Sequence, residues 1–211
     1  MKIITISREF GSGGRELGKR IAEILGFDYY DREIITTIAE RQGLEENYVE
    51  YALNNHQCQS VPLTFRHSFG SPTIFHTPHT NLLLEQKRVI EEIAKAGKDC
   101  VVVGRNSDVL LHEENPFKLF VCADMETKIK RCKERASEEE KLTDKEIKRN
   151  IMRIDKNRAR TRYMLADGTW GDRNSYNLIV NTTGWEISKL APLVASYVNA
   201  WFDKTETNKN G

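Results

Sequence analysis

The 211-residue sequence reads as an α/β protein, with a parallel sheet of about five strands flanked by helices. Three observations predict this. Short β-branched or apolar runs alternate with longer stretches whose apolar residues recur at helical spacing. The order β, helix, β, helix, β implies parallel pairing through right-handed crossovers. The opening, MKIITISREFGSGGRELGKRIAEIL, joins a strand to a helix through a glycine-rich turn.

That opening is the most informative stretch. Ile3, Ile4, Thr5 and Ile6 suit a buried strand, and Leu17, Ile21, Ala22 and Leu25 mark the apolar face of the first helix. Between them lie Gly11, Gly13 and Gly14. A strand, a glycine turn and a helix present backbone N–H groups and a positive helix end to a phosphate. Glycine lets the anion approach with no Cβ in the way. A plain turn is the competing reading. The P-loop rule G-x-x-x-x-G-K-[ST] is not met. No lysine follows Gly13 or Gly14, and Glu16 stands where a magnesium-binding hydroxyl is usual. Arg8, Arg15 and Lys19 carry the nearby positive charge instead.

Gly26 ends the first helix, and Phe27–Asp31 suits a second strand. Asp31 would lie at its C-terminal end, on the crevice side of a parallel sheet. It could equally cap the helix expected from about Arg32 to Arg41, or do both. Residues 43 to about 80 are irregular, rich in Asn, Gln, His, Ser and Pro, and a segment of this kind is usually functional or mobile. His67, His76, His79 and Cys58 match no standard zinc spacing and are read as cleft or surface residues.

A helix is expected over 82–96, from Leu83, Leu84, Val89, Ile90 and Ile93. Asp99–Val103 then forms an apolar strand that runs into Gly104, Arg105 and Asn106. Arg105 is placed either to meet an anion in the crevice or to pair with Asp108. Phe117–Ala123 is another buried strand. A charged helical region follows over about 124–162, broken near Thr143, where Thr143 and Glu146 form a capping box. Its second half carries Lys145, Lys148, Arg149, Arg153, Arg158, Arg160 and Arg162. Such a run suits a solvated face or a lid closing over phosphates; the aromatic residues a nucleic-acid groove would use for stacking are few. Asn174–Val180 is the last expected strand. Ile187 to Trp201 forms a long helix, and 205–211 a polar tail expected to be disordered.

Bulk properties bound the function. A 39% hydrophobic content supplies a core, while no apolar run approaches the roughly 20 residues of a spanning helix. The chain enters a strand at once, so no signal peptide is expected. A net charge of +1 gives no global field selecting a polyanion. Cys58, Cys100, Cys122 and Cys132 form no C-x-x-C pair, which suits a reducing, cytoplasmic setting. There is no repeat and no clear linker, so residues 1–211 are expected to form one domain.

These residues resemble the cytidylate kinase-like family of P-loop nucleoside monophosphate kinases, over nearly the whole length and least over about 41–80. Five blocks carry the resemblance in order: ITISREFGSGGRELGKRIAE, Phe27–Asp31, Val103-Gly104-Arg105-Asn106, Asp155-Lys156-Asn157-Arg158, and Ile179-Val180-Asn181-Thr182-Thr183-Gly184. Laid without gaps, the family's P-loop lysine falls on Gly14 and its hydroxyl residue on Glu16; a shift of one puts Arg15 on the lysine, and Arg15 is the expected substitute. The resemblance implies a three-layer P-loop NTPase fold with a helical lid at about 124–162 and a monophosphate-side insert at about 41–80.

It also implies ATP and Mg²⁺ as cofactors, and transfer of the γ-phosphoryl group to a pyrimidine monophosphate, CMP or dCMP favoured. Gly11, Ser12, Gly13, Gly14, Arg15 and Glu16 would hold ATP. Asp31, Arg105 and Asn106, the last replacing the family's aspartate, would hold the acceptor. Arg15, Asp155, Arg158 and Arg162 would act on the transferred group. No protein metal ligand, nucleic acid or membrane partner is expected; a homodimer stays open. The alternative is a nucleotide-binding regulator that kept the fold and lost the reaction. The missing lysine and Asn106 favour it; Arg105, Asp155 and Arg158 oppose it.

Overall fold

A computed structural model of the chain describes residues 1–54, 78–136, 142–166 and 168–207. Five parallel strands form one sheet: β1 (Ile3–Arg8), β2 (Asp28–Tyr30), β3 (Cys100–Val103), β4 (Phe117–Cys122) and β5 (Leu178–Asn181). Their order is β2-β3-β1-β4-β5, so β1 is central. Its residues Ile3 to Ile6 pair with Cys100 to Val103, and Ile4 to Arg8 pair with Phe117 to Val121.

Side chains alternate across a strand, so each strand feeds two cores. Ile4, Ile6, Val101, Val103, Leu119 and Val121 face α1 (Gly14–Leu25) and the long C-terminal helix (Ile187–Thr207). Ile3, Cys100 and Val102 face α2 (Arg32–Gln42), α3 (Glu46–Asn54) and α4 (Pro78–Lys95). This sandwich of helices, sheet and helices is the three-layer arrangement expected. A short α5 (Ser107–Leu110) follows β3; α6 (Met125–Arg135) and α7 (Asp144–Leu165) follow β4 and pack on each other; the C-terminal helix is α8. Among the described residues no helix is long and apolar enough to cross a membrane.

Several boundaries differ from the sequence reading. Helix α3 lies inside the stretch expected to be irregular, because Val49 and Leu53 bury against α2 and α4. Cys58, His67 and His76 lie outside the described residues. The last strand starts at Leu178, not Asn174; residues Arg173–Ser175 form a 3₁₀ turn capped by the Asp172 carboxylate, which accepts from the Asn174 N–H at 3.1 Å. The expected tail begins inside α8, which continues to Thr207. The capping box at Thr143 and Glu146 is formed as expected.

Candidate active site

The crevice lies beyond the C-terminal ends of the strands. There β1 leaves toward β2 while β3 leaves toward β4, the place where open α/β sheets bind ligands. A cavity of about 1040 Å³ opens here between the glycine turn, α3, the end of β3 and α7.

The turn after β1 is held from three sides. Gly11 and Gly13 take φ of 79° and 83°, a left-handed backbone that glycine adopts without strain. The Ser12 carbonyl points inward and accepts from Thr182 Oγ1 at 2.6 Å and Arg131 Nη1 at 3.0 Å. Arg131 also donates to the carbonyls of Thr182 and Trp185. Helix α1 then starts at Gly14, and its first N–H groups have no acceptor within the helix. The loop is therefore a fixed nest of donors facing the cavity. Glu16 does not pair with Arg15 or Lys19. It binds Arg20 Nε at 3.1 Å and Arg135 Nη2 at 2.9 Å, tying α1 to α6.

Four guanidinium groups converge on this crevice from four elements: Arg8 from the end of β1, Arg15 from α1, Arg105 from the turn after β3 and Arg158 from α7. Asp31, 5% exposed, sits among them. Its carboxylate does not cap α2. Instead it meets Arg15 Nε at 2.5 Å and lies 4.0 Å from Arg8 Nη2. The expected cap gives way because two cations compete for the carboxylate. Arg105 lies 3.9 Å from Glu50 on α3, not beside Asp108. Gly104, Arg105 and Asn106 all take left-handed φ, at 73°, 57° and 53°, and Gln86 Nε2 on α4 donates to the Arg105 carbonyl at 3.2 Å. Two successive non-glycine residues held at positive φ mark a turn whose surroundings dictate its shape.

On the lid side, Arg158 donates to the Arg8 carbonyl at 2.9 Å, lies 3.5 Å from Asp155 Oδ1 and stacks over the Phe10 ring. Asp155 accepts the Phe10 N–H at 2.7 Å and neighbours Lys128, which bonds Glu9 at 3.0 Å. This network staples α6 and α7 to the loop. Arg162 behaves differently: its guanidinium is 6% exposed and paired with Asp108, itself 1% exposed, beneath the Tyr176 ring. The expectation that Arg162 closes over phosphates gives way, because Asp108 holds so buried a cation in the interior.

Burial and mutual repulsion weaken the crevice cations. Desolvation first, then the Arg8 charge, lowers Arg158 to about 9 and Arg105 to about 10. Arg8 is lowered by the same burial, with Asp31 acting against it. Asp155 is raised, chiefly by desolvation. More positive than negative charge is thus held out of water, an arrangement that a bound polyanion relieves.

Sequence reasoning named Arg15, Asp31, Arg105, Asn106, Asp155 and Arg158, and all six line or neighbour this crevice. It counted Arg8 only as nearby charge, and it missed Arg131, Lys128 and Glu9. The signal for Arg131 and Lys128 was their i, i+3 spacing on α6, which turns both toward the loop.

The five-stranded parallel sheet between two helical layers is a fold of the P-loop kinase type. The chain belongs to the cytidylate kinase-like family, whose profile matches residues 3–184. Solved structures agree on the fold. A protein from Eubacterium ventriosum superposes with a TM-score of 0.68 at 22% identity, covering 94% of this chain and 99% of that one. A shikimate kinase from Bacteroides thetaiotaomicron gives 0.57 at 12% identity, covering 94% and 98%. Another from Acinetobacter baumannii, in complex with shikimate, gives 0.52 at 14%, covering 95% and 94%. A comparison with curated proteins finds no match.

Proposed function

We propose that this protein is an ATP-dependent nucleoside monophosphate kinase, with CMP or dCMP the favoured acceptor. One observation carries the reading: Arg8, Arg15, Arg105 and Arg158 share one crevice, beside a nest of backbone donors, with Asp31 between Arg15 and Arg8 and Asp155 beside Arg158. A single triphosphate on the loop would use some of these cations. A second phosphate, on the acceptor, accounts for the rest. Arginine suits both because its planar fork meets phosphate oxygens two at a time.

Residues Gly11 to Gly14 and the start of α1 fit the ATP phosphates: the donors are bare backbone, and the Ser12 carbonyl is turned away from the ligand and fixed. Mg²⁺ accompanying ATP would neutralise charge on the phosphates beside Gly11–Gly14, with few ligands of its own from the protein. Arg105, Asn106 and Asp31 face the acceptor, and Arg158 reaches in from α7. The acceptor phosphate is already anionic, so no general base is needed; positioning and charge neutralisation carry the reaction. A hydroxyl acceptor, such as the shikimate of one structural neighbour, would need a free carboxylate to take its proton. Asp31 is engaged by Arg15 instead, which favours the phosphate acceptor. The reading puts the protein in the cytoplasm with small nucleotides as its partners.

The test is coupled ADP release over a panel of nucleoside monophosphates, with shikimate as the hydroxyl control. Turnover with CMP or dCMP supports the proposal. ATP binding with no turnover on any acceptor supports the regulator reading and sinks the kinase.

A further inference from the structure

We propose that Arg8 carries the cation that meets the phosphoryl group in transit, and that Gly14 and Gly104 are glycine in order to clear its path. The inference rests on the kinase reading and names the residue that replaces the missing lysine. It is not Arg15, which lies 60% exposed and bound to Asp31 at 2.5 Å.

Three positions argue together. Gly14 is the first residue of α1, the place where the gapless register puts the P-loop lysine. A Cβ on Gly14 would come within 2.6 Å of Arg8 Cβ and 3.1 Å of its Cγ, with Val121 Cβ at 3.2 Å the next neighbour. While arginine stands at the end of β1, the helix start has no room for a side chain of its own. At the other end of the same arginine, where Gly104 already takes a φ of 73° that favours glycine, a Cβ would also overlap Nη1 and lie 2.5 Å from Cζ. The side chain therefore runs from the first helical residue across the end of β3, with a glycine at each end of its path. Its backbone is fixed as well, since the Arg8 carbonyl accepts from Arg158 at 2.9 Å.

A structural arginine would be expected to have a close carboxylate to itself. Among the described residues Arg8 does not: Asp31 is 4.0 Å away and already bonded to Arg15. Its guanidinium, 13% exposed, instead lies among Arg15, Arg105 and Arg158, between the loop that fits ATP and the turn that fits the acceptor. That is where the transferred group passes. In the transfer, the bond from the γ-phosphorus to the bridging oxygen breaks and its electron pair stays on ADP. An anionic oxygen of the acceptor phosphate forms the new bond, and no proton moves. The Arg8 N–H groups donate to the non-bridging oxygens while this charge is redistributed.

The test separates Arg8 from the kinase reading. In Arg8→Ala, turnover with CMP should fall by about 10³-fold. ATP affinity by calorimetry should weaken by about tenfold or more, with ADP affinity changed by no more than about threefold. Moving the cation back to the helix, Arg8→Gly with Gly14→Lys, should recover about tenfold or more of the lost turnover. Gly14→Lys alone, which crowds Arg8, should not be active. Arg8→Met keeps the packed stem and reads the same quantities if Arg8→Ala does not fold. Unchanged ATP affinity and turnover in Arg8→Ala overturns the role of Arg8 and leaves the kinase reading standing. A wild-type protein with no turnover on any monophosphate, yet losing ATP but not ADP affinity on Arg8→Ala, keeps Arg8 on the terminal phosphate and overturns the kinase.

Discussion

Arg158 and Arg162 sit four residues apart on α7 and do opposite things. Arg158 reaches the crevice; Arg162 is buried against Asp108. Arg158→Ala should lower turnover by about 10³-fold or more and leave the fold intact, as steady-state kinetics beside circular dichroism would show. Arg162→Ala strands the Asp108 carboxylate in the interior and should cost about 3–5 kcal/mol in urea denaturation. Replacing both, with Asp108→Leu and Arg162→Met, should recover most of that loss. If Arg162→Ala denatures like the wild type, stranding Asp108 costs nothing and the pair does not hold the interior. Asp155 gives a prediction with a sign. Its carboxyl is held above the ordinary 3.8 by desolvation. Between its unfolded and folded values the folded protein keeps a proton that the unfolded chain has lost, so stability falls as pH rises through that window and stays reduced above it. Asp155→Asn should flatten this decline in denaturation measured from pH 4 upward, a slope that the lowered carboxylates Asp124 and Glu146 cannot produce because their shifts have the opposite sign.

At the scale of elements, the sheet and its helices were legible because periodicity is local. Ile3 to Ile6 are β-branched and Cys100 to Val103 apolar in sequence, and both runs are buried on both faces in the fold. The Thr143–Glu146 box was legible for the same reason, since both partners lie within one turn. Helix α3 was hidden because Glu46, Asn47 and Tyr48 read as polar loop, and only packing against α2 and α4 makes the helix. The site was legible residue by residue but not in its pairing. No pattern tells that Asp31 prefers Arg15 to the end of α2, or that Glu16 reaches Arg135 on a different helix. Arg131 on α6 shows what that long-range bonding accomplishes. It ties the Ser12 carbonyl to Thr182 and Trp185, joining the turn and α6 to the segment that leads into α8. Arg131→Ala should free the turn and raise the KM for ATP by about tenfold or more, with less effect on the KM for the acceptor. Equal rises for both substrates would show that the residue supports the whole crevice and not the loop.

For the whole molecule, a net charge of +1 hides a strongly polarised arrangement. Elsewhere on the surface, cations are matched locally, as in Arg41 with Glu92 or Lys189 with Glu186. In the crevice they are gathered from β1, α1, the turn after β3 and α7, and held partly out of water. Folding the free protein brings these like charges together, so the crevice opposes stability until an anion fills it. Inorganic pyrophosphate should therefore raise the melting temperature in a saturable way. At a hundredfold excess over its Kd the gain is about 2.7 kcal/mol, or roughly 5–10 °C for a chain of this size. Sodium chloride at matched ionic strength should give far less, because screening acts weakly on charges away from solvent. Arg158→Ala should reduce the pyrophosphate shift while leaving the sodium chloride response unchanged. That contrast separates a built anion site from general charge screening. If salt and pyrophosphate stabilise the protein equally, or if removing Arg158 leaves the pyrophosphate shift intact, the four arginines do not act as one polyanion site.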